Sequence, residues 1–428
     1  MNSINVTLKD GSVREYQYGV TLYDIAASIS RGLAKNALAA KVDGKVVDLH
    51  SKLLKDAQAE FLTFEDEAGR DALRHSASHI MAQAVKRLFP DVKVGIGPSI
   101  ANGFYYDFDT EHTFTPEDLV LIQGEMEKII KEDLPIEREE ISRDAAIEMF
   151  RDQDEIYKVE LISALPDDVI ISLYRQGEFV DLCAGPHLPS TGRVKVVKLQ
   201  NLAGAYWRGD EKRKMLQRIY GTAFEKKADL DAYLTMLEEA AKRDHRKLGR
   251  ELNLFSIQDE GPGFPFFHPK GMIIRNELEN FWRKIHVKYG YQEIKTPIIL
   301  HQKLWQQSGH WDHYRDNMYF TSIDDDGYAV KPMNCPGGIL VYRSQYYSYR
   351  DLPLRTAELG LVHRHELHGA LHGLMRVRSF TQDDAHIFML PSQIKQEIMS
   401  VIDLFDQVYS IFGLSYHAEL STKPENAM

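Results

Sequence analysis

The chain has 428 residues, 43% of them hydrophobic and 27% charged, the balance of an ordinary globular protein, and this length predicts roughly two to four domains. Its 52 basic and 63 acidic side chains give a net charge of −11, which argues against a generic nucleic-acid coating protein and leaves local basic clusters open. Two distant cysteines, Cys183 and Cys335, exclude a disulfide scaffold; with no signal-peptide pattern after Met1 and no membrane-length apolar run, they predict a soluble cytoplasmic protein with no membrane partner.

In chain order, residues 4–8 and 12–18 alternate around Lys9-Asp10-Gly11, which predicts a hairpin. Thr21 followed by Asp24 predicts a helix start, with the helix running to Ile29. A second hairpin over 39–49 turns at Asp43-Gly44, and a strand follows over 60–64. Helical periodicity then runs over 73–89, stopped by Pro90, and a longer helix fits 116–132. Strands and short helices alternate as far as Phe224. A connector helix over 229–242 ends in a basic cluster, Lys242-Arg243-Asp244-His245-Arg246-Lys247. A Gly/Pro-rich loop, 261–265, precedes a long helical pattern over 272–289 and several short strands.

Two regions carry chemistry. The first pairs His75-x-x-x-His79 with Cys183-x-x-x-His187. On a helix, His75 and His79 share one face, and Leu73, Ala77, Ile80, Ala84 and Leu88 define the opposite, apolar face. Two histidines with a Cys/His pair suit zinc. The zinc-peptidase motif is not matched, because Ser76 stands where its catalytic Glu belongs. From spacing alone, solvated histidines beside a buried, inert cysteine account for the pattern equally well.

The second region lies between Lys331 and Phe388. It contains Met333-Asn334-Cys335-Pro336, then His363-Arg364-His365-Glu366, then a run from Arg376 through Phe380, Gln382 and Asp384 to His386. Arginines spaced in this way can hold phosphate oxygens, and Glu366 can accept a hydrogen bond from an amino group. Cys335 and His386 suit zinc, with Asp384 next to the metal. Spacing alone favours a set of surface ion pairs between strands.

Together with Asn201-Leu202-Ala203-Gly204-Ala205-Tyr206-Trp207-Arg208-Gly209-Asp210, Met215-Leu216-Gln217-Arg218-Ile219-Tyr220-Gly221-Thr222 and Ser308-Gly309-His310-Trp311, these residues resemble the bacterial threonyl-tRNA synthetases over essentially the whole chain. The resemblance implies an α+β multidomain protein. Its parts are a ubiquitin-like β-grasp (TGS-like) domain over 1–64, an α+β editing domain over 65–225, a linker helix over 226–243, and over 244–428 the N-terminal part of a class II catalytic domain, an antiparallel sheet flanked by helices. It implies a threonine–tRNA ligase that hydrolyses mischarged Ser-tRNA(Thr). ATP with Mg2+ is then a substrate, and tRNA(Thr) and L-threonine are partners. One Zn2+ is implied per catalytic site, and a homodimer through the first class II motif, on the helix from Met272 and the strand ending at Pro297.

By resemblance, Arg364 is catalytic and contacts the α-phosphate. Glu366 reads the adenine amino group, Phe380 stacks on adenine, and Arg376 faces the γ-phosphate. Met333, Gln382 and Asp384 hold threonine. Cys335 and His386 are two of three zinc ligands, and His75, His79, Cys183 and His187 are the editing residues, with metal there left open. Gly338 stands where the family often has histidine, and Ser379 replaces a common glycine. The family's third class II motif, third zinc ligand and anticodon-binding domain are expected beyond Ser421-Thr422-Lys423-Pro424 and Met428, and none occurs in these 428 residues.

The physics of the implied substrates is coherent. A site built around the threonine hydroxyl rejects valine strongly, whereas serine lacks only a methyl, a difference of about 1–3 kcal/mol. A second, hydrolytic site is then expected. The competing expectations are an editing-only or regulatory tRNA-binding paralogue and, more remotely, a zinc hydrolase unrelated to tRNA. For tRNA contact the basic stretches 208–214 and 242–250 are candidates, and solvated surface charge accounts for each at least as well.

Overall fold

The computed structural model describes residues 3–422; Lys423 and Pro424 of the C-terminal segment lie outside them. The chain divides into two compact units, 1–237 and 238–428.

The first unit opens with a five-stranded sheet in the order β2-β1-β5-β3-β4. Its strands are β1 (Ser3–Leu8), β2 (Val13–Gln17), β3 (Ala39–Val42), β4 (Lys45–Val47) and β5 (Ala57–Leu62). β1 pairs antiparallel with β2 and parallel with β5. Helices α1 (Leu22–Ile29) and α2 (Arg31–Asn36) connect the strands, and the Thr21 hydroxyl accepts the Asp24 N–H at the start of α1, as the Thr/Asp spacing predicts. Ile4, Val6, Leu22, Ile25 and Leu49 fill the core of this sheet.

Helix α3 (Glu67–Leu88) follows and is the axis of the unit. Gly69 lets it cross against the Thr63 backbone, where a side chain would overlap the carbonyl. A sheet in the order β12-β13-β8-β6, with β7 (Ser99–Ile100) beside β8, packs on α3. Its members are β6 (Lys93–Val94), β8 (Gly103–Asp109), β12 (Val196–Tyr206) and β13 (Met215–Phe224). Helix α4 (Pro116–Glu132) packs against α3 and against β12 of the same sheet; Pro116 in its first turn and the reciprocal Thr115/Asp118 capping box fix its start at the expected residue. Phe104, Tyr106 and Phe108 of β8 are fully buried, each burial stabilising the fold by about 1.5–3 kcal/mol. A smaller sheet, β9 (Ile136–Ile141), β10 (Ile171–Gln176) and β11 (Phe179–Leu182), packs with α5 (Arg143–Asp152) and α6 (Ile156–Ala164).

The expected apolar stripe on α3 is corrected by its burial. The helix is not amphipathic: Arg74, Ser76, Ser78, His79 and Gln83 are as buried as Leu73 and Ile80, while Leu88 is exposed. α3 is covered by β8 and β13, by α4 and by the segment after β11, so its buried polar residues bond internally and mark no surface.

α7 (Lys227–Lys242) runs from the first unit into the second. In the second unit come α8 (His245–Glu251), the hairpin β14 (Phe255–Ile257) and β15 (Pro265–Phe267), and the long α9 (Pro269–Lys288). A three-stranded sheet places β20 (Leu354–His363) between the two-residue β16 (Gln292–Glu293), which joins it parallel, and β21 (Ser379–Phe388), which is antiparallel. A second sheet orders β17 (Ile299–His301), β19 (Asp326–Val330) and β18 (Tyr319–Ile323), with α10 (Gln302–Gln307) and α11 (His310–Tyr314) beside it in the chain. α12 (Cys335–Arg343) and α13 (Ile394–Phe412) complete the unit. No helix of the described residues is long and apolar enough to cross a membrane.

Candidate functional site

In the first unit the four residues singled out by spacing converge. α3 presents His75 and His79; the chain leaving β11 presents Cys183 and, four residues on, His187. Cys183 Sγ lies 3.2 Å from His75 Nε2 and 3.2 Å from His187 Nε2. The His187 ring stands 4.2 Å from that of His75 and 4.1 Å from that of His79, centroid to centroid. All four donor atoms lie within 4.8 Å of one another. His79 and His187 are buried, and His75 and Cys183 are half-buried.

Burial decides the protonation states. It holds all three imidazoles below the usual histidine range, His79 to about 3 and His187 well below its ordinary value, so they are neutral near pH 7. It also pushes the Cys183 thiol up to about 12. A thiol in that state is a poor nucleophile, which argues against covalent catalysis by Cys183.

Behind the imidazoles lies an ionic group that spacing did not disclose. Lys158 of α6 sits 2.5 Å from Asp181 of β11, both nearly inaccessible to solvent. The Lys158 ammonium donates to the Tyr106 hydroxyl at 3.0 Å, and that hydroxyl donates to Asp181. His79 Nε2 stands 3.4 Å from Asp181. Burial alone would raise the Asp181 pKa, but Lys158, His79 and the hydrogen bonds hold it below the ordinary value. Gly97 makes room for the Tyr106 ring, against which any side chain would collide. Neutral proton acceptors beside a fixed ammonium and phenol can shuttle protons and stabilise a developing oxyanion.

The second unit builds its site on β20 and β21. Phe380, Gln382, Asp384 and His386 alternate along β21 and so share one face, opposite Val362, Gly360, Glu358 and Thr356. That period-two pattern was available in the sequence. Cys335, at the start of α12, brings its thiol within 4.8 Å of the Asp384 and His386 donor atoms. Burial, with Asp384 nearby, raises the Cys335 pKa. Asn334 donates to Gln382 at 3.3 Å, and Met333 Sδ lies 3.1 Å from His310 Nε2. A Cβ at Gly338 would stand in van der Waals contact with His386 Nδ1, 3.4 Å away.

Arg364 donates to the Pro332 carbonyl at 3.2 Å and lies over the rings of Phe380 and Tyr314, 5.2 and 5.7 Å from their centroids. Glu366 and Arg376 form an ion pair at 3.0 Å. Next to these residues a buried trio, Lys331, Glu358 and Thr296, is closed by the Lys331–Glu358 contact at 3.0 Å and by two Thr296 donors to the same carboxylate. None of the trio carries a sequence motif.

The two basic stretches are largely occupied with their own counter-ions. Arg208 and Arg213 share Glu160, Lys214 meets Asp109, Lys242 and Arg243 share Glu239, and Arg246 meets Asp244. Lys212, Lys247 and Arg250 have no ion-pair partner among the described residues.

Comparison with known proteins gives three domain matches: the TGS domain over residues 4–63, the threonyl and alanyl tRNA synthetase second additional domain over 171–220, and the tRNA synthetase class II core domain (G, H, P, S and T) over 319–428. A protein named threonine–tRNA ligase from Desulforamulus reducens is 68% identical over 425 residues, 99% of this chain and 67% of that relative. Proteins of the same name from Clostridium botulinum and Caldanaerobacter subterraneus subsp. tengcongensis are each 66% identical over 99% of the chain, covering 67% and 66% of their own lengths.

Proposed function

The chain belongs to the threonine–tRNA ligase family, class II aminoacyl-tRNA synthetases, and from that membership we propose a division of labour in which the second unit activates threonine and the first removes misattached serine. The 68% identity over 99% of the chain carries the reading. A ligase of this family consumes ATP with Mg2+, L-threonine and tRNA. The editing-only alternative is not favoured, since Cys335, Arg364, Glu366 and His386 are all present.

In activation, a threonine carboxylate oxygen bonds to the α-phosphorus of ATP and pyrophosphate leaves. We assign Arg364 to that phosphate, its guanidinium already oriented by Pro332, Tyr314 and Phe380. Glu366 and Phe380 then meet adenine, and Arg376, on leaving Glu366, meets the γ-phosphate. Met333, Gln382 and Asp384 hold threonine. A thiol, an imidazole and a carboxylate within 4.8 Å form a donor set of the type zinc selects, with Cys335 and His386 as ligands and Asp384 alongside. Zinc bound there would supply a Lewis-acidic position for the amino and hydroxyl groups of threonine. The terminal ribose hydroxyl of tRNA next attacks the adenylate carbonyl and AMP departs.

Serine passes this site because it lacks only a methyl, about 1–3 kcal/mol of discrimination. The first unit corrects the error: water attacks the seryl ester carbonyl and the bond to ribose breaks. His75, His79, Cys183 and His187 surround the ester, and the Lys158–Asp181 ion pair with the Tyr106 phenol lies behind them. The domain division over 1–64, 65–225, 226–243 and 244–428, a homodimer through α9 and a cytoplasmic location belong to the same proposal. Threonine-dependent ATP–pyrophosphate exchange by the protein as the cell makes it, with single-turnover deacylation of Ser-tRNA(Thr) and Thr-tRNA(Thr), tests both halves. Absence of exchange in folded, zinc-supplied protein overturns the ligase reading; equal loss of serine and threonine overturns the editing reading.

A further inference from the structure

Ser76 follows His75 on α3 and is completely buried. Its hydroxyl meets three partners. It donates to the Ala72 carbonyl at 2.8 Å, accepts the Leu188 N–H at 2.8 Å, and stands 3.1 Å from His187 Nδ1. A hydroxyl has one hydrogen and two lone pairs. With the hydrogen on Ala72 and one lone pair taken by Leu188, only a lone pair is left for His187. The proton between them therefore belongs to Nδ1. The other ring nitrogen, Nε2, is left without a hydrogen, 3.2 Å from Cys183 Sγ, which His75 Nε2 also meets at 3.2 Å.

We infer that Ser76 is a positioning residue for deacylation: it locks His187 in the Nδ1–H tautomer, so that Nε2 is always the proton acceptor on the reactive side. The inference rests on reading this cluster as the hydrolytic site. As the water oxygen bonds to the seryl carbonyl carbon, its proton passes to His187 Nε2. When the intermediate collapses, the bond from that carbon to the ribose oxygen breaks and the ribose oxygen takes the proton from Nε2, giving serine and a free terminal hydroxyl on tRNA. In the opposite tautomer Nε2 would donate to the Cys183 sulfur and could accept nothing. Because burial keeps His187 uncharged, the tautomer and not the charge state decides whether the acceptor exists. In Ser-His-Asp triads a wrong tautomer lowers kcat by about 10⁴; deleting the Ser76 hydroxyl frees the tautomer without inverting it, so the loss is smaller.

The experiment uses the full chain with 15N-labelled histidine, reading two-bond 15N–1H correlations, with the His187 signals assigned by their disappearance in His187→Gln. The wild-type spectrum is expected to show His187 protonated at Nδ1. Ser76→Ala is expected to show mixed tautomers and a kcat for Ser-tRNA(Thr) deacylation at least tenfold lower, with KM changed less than twofold. Ser76→Thr, which restores the oxygen, recovers both. A wild-type His187 protonated at Nε2 overturns the inference, as does a folded Ser76→Ala protein that deacylates within twofold of wild type. If the alanine variant does not fold, the wild-type spectrum decides. Should wild type fail to hydrolyse Ser-tRNA(Thr), the deacylation reading falls, and the inferred role of Ser76 falls with it.

Discussion

Asp48 and His187 are 139 residues apart in sequence, yet the Asp48 carboxylate accepts the His187 backbone N–H at 2.5 Å. The same carboxylate accepts the Tyr174 hydroxyl at 2.6 Å. The loop after β4 of the N-terminal sheet thus braces the segment that carries Cys183 and His187, giving those first residues a direct part in the geometry of the proposed hydrolytic site. A hydrogen bond to a charged group contributes about 1.5–3 kcal/mol. Asp48→Ala is expected to slow Ser-tRNA(Thr) deacylation by about tenfold or more, by that same magnitude, and to leave threonine-dependent ATP–pyrophosphate exchange within twofold. Asp48→Asn keeps an acceptor for His187 and should retain most of the rate. Unchanged deacylation in Asp48→Ala would remove the N-terminal sheet from the site.

The three imidazoles of the cluster tie stability to pH. Their folded pKa values lie below the unfolded value, so in the interval between the two the unfolded chain binds more protons than the folded one. Their stabilising contribution is therefore complete above the ordinary histidine pKa and is lost as pH falls towards the folded values, about 3 for His79. Between pH 6.5 and 5, His79 alone accounts for roughly 1–2 kcal/mol. The urea midpoint of the first unit should drop over that range, and His79→Gln should flatten the slope. A midpoint independent of pH between 5 and 7 would contradict the assigned neutral states.

Much of this architecture is legible in the sequence. The Pro116 start of α4, the Thr21/Asp24 start of α1, the two hairpins of the N-terminal sheet and the four His/Cys positions all follow from local chemistry. What escapes sequence reading has one physical character. Lys158, Asp181, Tyr106 and Asp48 act through partners on distant elements, so no spacing announces them, and Lys331 and Glu358 are solitary charges whose burial only the fold reveals. The apolar stripe expected on α3 fails because it counts only apolar residues: Ser76 and His79 are interior residues as much as Leu73 is.

Metal removal should separate the two sites. At the second, Cys335, Asp384 and His386 form a mixed donor set beside the residues assigned to threonine. At the first, only His75 and His187 direct Nε2 at the Cys183 sulfur, while His79 Nε2 faces Asp181, and the thiol retains its proton at neutral pH. After dialysis against a chelator, threonine-dependent exchange is expected to fall more than tenfold and to return with added zinc. Ser-tRNA(Thr) hydrolysis should change less than twofold. Loss of both activities would place a required metal among the histidines as well.

The proposed activation site has a buried ion pair of its own. Lys331 and Glu358 are almost wholly buried, and Glu358 lies opposite Asp384 across the β20/β21 register. Glu358 is compensated by the Lys331 ammonium and by the Thr296 N–H and hydroxyl. Removing one partner of such a pair leaves a buried charge unpaired, at a cost of about 3–5 kcal/mol, whereas replacing both by apolar groups of similar size is often neutral. Lys331→Met is therefore expected to destabilise the second unit by about that amount, and Lys331→Met/Glu358→Leu to recover most of it. Urea unfolding followed by a probe in that unit supplies the double-mutant cycle. If the ion pair serves only stability, the recovered double variant should also recover threonine activation. If Glu358 instead holds the strand so that Asp384 and His386 face the substrate, stability returns in the double variant while KM for threonine stays raised. A single variant as stable as wild type would show that the ammonium is not what compensates Glu358.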